Sequence, residues 1–181
     1  MRLPNWTPEA AARDPELLDA ILKRRGGAFL NLDLALLWSA PLARGWNALL
    51  GAVRREFAVS PRLKEIAICT VAAETGAQYE FDHHWPEYVK AGGDDALRPR
   101  LADPDSATTD TAFSADERLA IRYALTMTRD VQVPDSLFRL LRERFGHTEL
   151  VELTAAIAAY NLVARFLVAL QVQDEKSAGK R

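Results

Sequence analysis

Proline at helix starts and glycine at helix ends punctuate this chain, and that pattern constrains its fold more than any other feature. Proline is tolerated in the first helical turn because its missing N–H would be unpaired there anyway. Glycine ends helices because it adopts the left-handed backbone without penalty. Asp14-Pro15-Glu16 opens a segment whose Leu17, Leu18, Ile21 and Leu22 recur at helical spacing, and Gly26-Gly27 stops it. A short segment from Leu30 to Trp38 follows. Pro41 then opens a helix carrying Leu42, Trp46, Leu49, Leu50 and Val53. Ser60-Pro61 starts another, running to about Glu74 before Gly76. The next extends from about Gln78 to Ala91 and ends at Gly92-Gly93. Ser114 and Glu117 have capping-box spacing, Pro134 opens a helix ended by Gly146, and Thr148 is placed to cap a last long helix reaching about Val172. Residues 94–111 are polar, hold Pro99 and Pro104, and read as a surface loop with a possible helical turn at Asp95 to Arg98. No alternating strand pattern persists and no Asn-Gly or Asp-Gly hairpin signal occurs. The expectation is a single all-α domain over residues 1–181, with seven or eight helices and a solvated tail at 174–181.

At 181 residues, 49% hydrophobic and 27% charged, the chain can bury a core without staples. Its single cysteine, Cys69, precludes an intramolecular disulfide, so a reducing, cytoplasmic setting is expected. The N-terminus has no apolar run of signal-peptide type. The apolar stretch near Leu153 to Val172 is interrupted by Thr154, Asn161, Arg165 and Gln171, which favours a buried helix over a membrane span. With a net charge of −2 and no basic face, nucleic acid is not an expected partner.

The chemistry-bearing residues concentrate between Arg62 and Gly92. Glu65 shares a helix face with Ile68, Cys69 and Ala72, so its carboxylate points into a core or a pocket wall. Burial there would raise its pKa toward the range of a working acid or base, unless Arg62, three residues earlier, neutralises it. On the next helix Glu80 and His84 lie one turn apart, where a carboxylate orients an imidazole and favours its protonated form. His83 points about 100° away and pairs by spacing with Tyr79 and Glu87. Pro86, inside this helix, removes the donor that the Asp82 carbonyl would use, which predicts a kink. Glu80 and His83 make a Glu-x-x-His pattern, but the only other histidine, His147, has Arg144 three residues before it. Half of a carboxylate-bridged metal set is therefore missing, and no metal is expected. Cys69, on an apolar face and without a second cysteine, reads as a small buried hydrophobe.

The run RLKEIAICTVAAETGAQYEFDHHWPEYVKAG resembles the core motif of the carboxymuconolactone decarboxylase family, which includes the AhpD-type alkylhydroperoxidases. With FSADERLAIRYALTMTRDVQVPDSLFRLLRERFGHTELVELTAAIAAYNLVARFL and LLWSAPLARGWNALL, the likeness spans roughly residues 30–170. In the redox branch a glutamate precedes Cys-x-x-Cys-x-x-x-His. On that pattern the glutamate falls on Glu65, the histidine on His84, and the two cysteine positions on Ala77 and Glu80, neither of which can form a thiolate. The decarboxylase-like branch, which has no cysteine pair, is the better match. It implies an AhpD-like helical bundle associating into trimers or hexamers, and an enzyme without cofactor acting on a small carboxylated lactone or a similar unsaturated acid.

Three function classes follow: a cofactor-independent lyase or isomerase, an antioxidant peroxidase as in the redox relatives, and a non-catalytic helical assembly module. For the first, His84 oriented by Glu80 is the proton donor or oxyanion partner, and Glu65 a second acid. Arg62, Arg165 and Asn161 are the candidates for holding a substrate carboxylate, with Asn161 and Arg165 equally suited to a helix–helix or subunit contact. Trp46 and Trp85 are candidate pocket walls, packing being the more economical role for each.

Overall fold

The computed structural model describes residues 1–9 and 14–175. Among these there are nine α-helices, two 3-10 turns and no strand. The chain divides into two compact units, Met1–Glu56 with Leu167–Arg181, and Phe57–Phe166.

The first unit holds α1 (Pro15–Arg25), α2 (Asn31–Leu36) and α3 (Ala40–Arg55). Asp14 caps α1 by accepting from the Leu17 N–H at 3.1 Å, and left-handed Gly26 ends it. The Ser39 hydroxyl caps α3. Of the apolar residues that α3 carries, Trp46, Leu50 and Val53 are buried, while Leu42 and Leu49 are exposed. Asp33 is buried, and Arg25 grips it with two hydrogen bonds of 2.9 and 3.1 Å while Arg24 adds a third at 3.2 Å. The solvated tail expected from residue 174 does not hold at its start. Glu175 is half-buried and accepts from the Asn31 N–H at 2.8 Å. Residues 176–181 lie outside the described residues.

The second unit is built on α4 (Pro61–Thr75), whose residues from Lys64 to Ala72 are all buried. A helix apolar nearly all round must sit inside other helices, and α4 packs against both α5 (Gln78–Lys90) and α7 (Ala115–Arg129). Proline at N1 starts α4, but the Ser60 side chain makes no capping bond. Left-handed Gly76 (φ 67°) ends it, with the Ala77 N–H returning to the Ala72 carbonyl at 2.9 Å. The Ser114–Glu117 capping box at α7 forms as the spacing predicts. Helix α8 is Asp135–Arg144, and α9, His147–Leu170, starts one residue before the threonine expected to cap it.

Residues 94–111 are more ordered than a surface loop. They contain 3-10 turns at Asp95–Leu97 and Arg100–Ala102 and the short α6, Pro104–Ala107. Leu97, Leu101, Pro104 and Ala107 are buried at near-helical spacing, a signal the two prolines obscure. The Asp94 and Asp103 side chains cap two of these turns.

A buried cluster ties α4, α5 and α7 together. Glu117 is fully inaccessible to solvent. It accepts two hydrogen bonds from Arg62 at 2.8 and 2.9 Å, one from the Tyr88 hydroxyl at 2.6 Å, and one from the Ser114 N–H at 2.8 Å. Burial opposes its ionisation, but Arg62, Tyr88 and Ser114 outweigh it and hold its carboxyl below the usual glutamate value. The same burial and the same carboxylate push the Tyr88 phenol up. The turn after α5 fits closely around Tyr88, since a Cβ on Gly93 would lie 2.3 Å from its ring.

Two predictions follow from this cluster. Gly93→Ala displaces the Tyr88 ring and lowers the thermal midpoint, while Gly45→Ala, where a Cβ meets nothing within 4 Å, leaves it nearly unchanged. Glu117→Gln is destabilised at neutral pH by about 3–5 kcal/mol, the scale for breaking a buried pair. Because the folded-state pKa is depressed, the native carboxylate's contribution is complete above the unfolded value and is lost as pH falls through the folded one. Urea unfolding of wild type and variant at pH 7 and pH 3.5 should therefore show the gap narrowing in acid.

Candidate active site

The reversal at Gly76 lays α5 back along α4, which brings Glu65 opposite His84. The His84 Nδ1 lies 2.6 Å from Glu65 Oε2, and its Nε2 lies 3.0 Å from Glu80 Oε1. Each ring nitrogen thus faces a carboxylate oxygen. Carboxylates only accept, so two such bonds at once require both nitrogens to donate, which is the imidazolium form. Burial works against that form, but hydrogen bonds and charge from Glu65 and Glu80 overcome it, and the His84 pKa is raised above its ordinary 6.5. Tyr160 of α9 meets the imidazole edge-on, with centroids 4.7 Å apart and planes at 80°.

The triad is enclosed. Glu65 and His84 are each 6% exposed and Glu80 2%. The Lys64 ammonium, also buried, lies 3.8 Å from Glu65 Oε1. His84 and Lys64 thus set two basic groups beside the two carboxylates, the kind of pairing that burying such groups requires. Lys64 therefore stands beside Glu65, where the sequence suggested Arg62. The Arg62 guanidinium is engaged by Glu117 instead.

Of the remaining candidates, Trp85 is buried, stacks on Phe81 at 5.6 Å and donates to Asp95 Oδ1 at 2.7 Å. Asn161 donates to Thr128 Oγ1 at 3.0 Å and to the Ile157 carbonyl at 3.1 Å, and Arg165 bonds to Asn161. Trp46 belongs to the core of the first unit. His83 faces elsewhere, as its spacing predicts, donating to the Tyr79 carbonyl at 2.8 Å with the two rings stacked at 4.2 Å. Among the described residues no cluster of three His, Cys, Asp or Glu is placed to hold a metal ion.

Cys69 is completely buried one turn after Glu65. Burial first, then the charges of Glu65 and Glu80, push its thiol well above the ordinary value, with Arg98 pulling weakly the other way. Such a thiol stays protonated and is a poor nucleophile.

Sequence reasoning missed Lys64, Tyr160 and Arg98. Lys64 could have been suspected from its place beside Glu65 on an otherwise apolar helix. Tyr160, in a long apolar run, carries no mark that distinguishes it from packing. Arg98 lines a groove of about 390 Å³ with Ala72, Ala73, Gly76, Gln78, Phe81, Pro99 and Ala102. Its guanidinium lies over the Phe81 ring, 5.1 Å from the centroid, and is paired with Asp82.

No family model matches the chain, and no curated protein sequence matches it. Solved structures do. A peroxidase-related protein from Ralstonia eutropha JMP134 with an alkylhydroperoxidase AhpD core superposes with a TM-score of 0.82 at 16% identity, over 97% of this chain and 93% of that one. A peroxidase-related protein from Silicibacter sp. TM1040 gives a TM-score of 0.76 at 16% identity, over 93% and 91%. A cysteine-to-alanine variant of the debrominase Bmp8, in complex with 2,3,4-tribromopyrrole, gives 0.75 at 17% identity, over 94% and 90%. At such identities the likeness is one of architecture, and it agrees with the fold that the segment 62–92 implies: this chain has the AhpD-like all-α fold.

Proposed function

We propose that the chain is a cofactor-independent acid–base enzyme acting on a small carboxylated lactone or a related unsaturated organic acid. The observation that carries this reading is the Glu65–His84–Glu80 triad, a buried imidazole with a carboxylate on each nitrogen. Such a group holds a proton in reserve between two carboxylates.

In a decarboxylation of this kind the carbon–carboxylate bond breaks and carbon dioxide leaves. Its electron pair moves into the conjugated ring carbonyl to give a dienolate, and carbon then takes one proton. His84 supplies that proton, with Glu80 as the relay and Glu65 holding the ring in place. Proton transfer by a positioned group of this kind is typically worth about 10²–10⁴ in rate. The groove bearing Arg98 lies at the turn between the two helices of the triad, and its size suits a small organic acid. Arg98 is the cation assigned to the substrate carboxylate: its present partner Asp82 is partly solvent-exposed and can be exchanged, whereas Arg62 is held by two bonds to the fully buried Glu117. The neighbour with tribromopyrrole is itself bound to a small unsaturated ring.

The peroxidase reading, suggested by the names of two neighbours, needs a reactive thiol, and Cys69 is buried with its thiol pKa pushed up. The non-catalytic reading has an observation of its own in the enclosure of His84.

Assays of carbon dioxide release over a panel of carboxylated unsaturated lactones separate the three. His84→Ala and Glu65→Gln should each lose at least about 10²-fold in kcat/KM with the helical signal intact, and full activity in both removes the assignment. Arg98→Ala should raise KM more than it lowers kcat. Cys69→Ser should leave any peroxide turnover at its basal level. For the proton reserve, a ¹⁵N NMR titration should show both imidazole nitrogens staying protonated to a higher pH than in a free histidine. Glu65→Gln and Glu80→Gln should each move that titration to lower pH, because each removes a carboxylate that favours the charged ring.

A further inference from the structure

Helix α9 is long and apolar enough to cross a membrane, and less than half of its apolar window is buried. Its inward face packs through Leu150, Leu153, Ile157, Tyr160 and Val163. A second apolar stripe faces out. Val151 is 68% and Leu162 49% exposed, Ala158 is exposed and Ala155 half-exposed. The steps from 151 to 155, 158 and 162 are four, three and four residues, which is the seam spacing of packed helices. Beside Val151 lies a groove of about 600 Å³ whose walls include Phe138, Leu150, Val151, Thr154 and Ala158, with the Tyr123 hydroxyl already satisfied by Thr154 at 2.8 Å.

The order along the stripe is large, small, small, large, and it reads the same in both directions. In an antiparallel pair of α9 helices centred between 156 and 157, Val151 of each copy faces Leu162 of the other, and Ala155 faces Ala158. The two alanines at the centre let the helix axes approach closely, while at each end a protruding Leu162 meets the groove beside Val151. Knob and hole lie eleven residues apart on one helix, about 16 Å at 1.5 Å per residue, so one two-fold axis satisfies both at once. A closed two-fold contact demands this self-complementarity, with the same patch serving both partners. The charges agree with it, since the same register places Arg165 near Glu149 of the second copy.

We propose that the exposed stripe of α9 is a two-fold interface that takes the α9 of a second copy of this chain, antiparallel and centred between residues 156 and 157. This assignment does not depend on the catalytic reading, and it gives the otherwise unused apolar groove an occupant.

Sedimentation velocity on the full chain tests it. The wild type should sediment as a dimer or an even-numbered assembly containing it. Val151→Glu and Leu162→Lys should each halve the assembled mass with the helical signal preserved, because both side chains are exposed in the single chain, and the unfolding midpoint should lose its dependence on protein concentration. The double variant Val151→Glu/Leu162→Lys should reassemble, since the register sets each new glutamate against the other copy's lysine. That reassembly should weaken at about 0.5 M salt as the charge pair is screened. Single variants that keep the wild-type mass, or an odd-numbered wild-type assembly, overturn the interface. A double variant that stays dissociated overturns the register. A monomeric wild type overturns the proposal in favour of another occupant of the groove, such as a small apolar ligand or a lipid surface.

Discussion

The arrangement of the second unit depends on the cost of burying two carboxylates next to one imidazole. Removing an ion from water costs several kcal/mol even after relaxation, and only close, well-directed partners offset it. Glu65 and Glu80 have such partners at 2.6 and 3.0 Å on opposite nitrogens of one ring. Bonds of that length tolerate little displacement, so α4 and α5 must keep one register. The Gly76 turn supplies the reversal, and the Ala77-to-Ala72 bond fixes its geometry.

The register is held at a second point. Three residues before Glu65 on α4 stands Arg62, and one turn after His84 on α5 stands Tyr88. Both reach Glu117 of α7. The antiparallel pair therefore carries two polar rungs, Glu65 with His84 and Arg62 with Tyr88, the second bridged by a carboxylate. Between and around them the contacts are apolar, with Ile66, Ile68, Val71 and Trp85 almost wholly inaccessible. Apolar packing alone would permit a slip of one turn at modest cost. Two polar rungs do not, because a slip would strand buried charges. The specificity of this helix pair thus resides in its charged groups and its cohesion in its apolar ones.

This division explains what was legible in the sequence. Helix starts and ends are local chemistry, so Asp14-Pro15, Ser114 with Glu117, and Gly76 could be read directly. The Glu80–His84 bond is one helical turn and was equally readable. The Glu65–His84 bond spans nineteen residues, and spacing alone cannot show that two helices set these side chains face to face. The same limit explains Arg62. Its sequence neighbour Glu65 is the obvious partner, but the carboxylate it meets lies fifty-five residues away. Residues 94–111 differ from the expected loop for another reason: the prolines and aspartates there signal a loop and mask the near-helical spacing of the buried Leu97, Leu101, Pro104 and Ala107 that pin the segment.

The triad also bears on which chemistry this version of the fold can support. A thiolate is made reactive by positive surroundings and by access to solvent. The single thiol here sits one turn from Glu65, inside the core, within reach of two carboxylates that raise its pKa. Those same carboxylates raise the pKa of His84 and keep its proton in place. One electrostatic environment therefore acts on both groups, making the imidazole a better proton store and the thiol a worse nucleophile. Glu80, which falls where the dithiol pattern has a cysteine, brings negative charge instead of a sulfur, and that charge raises the pKa of both the neighbouring histidine and the buried thiol.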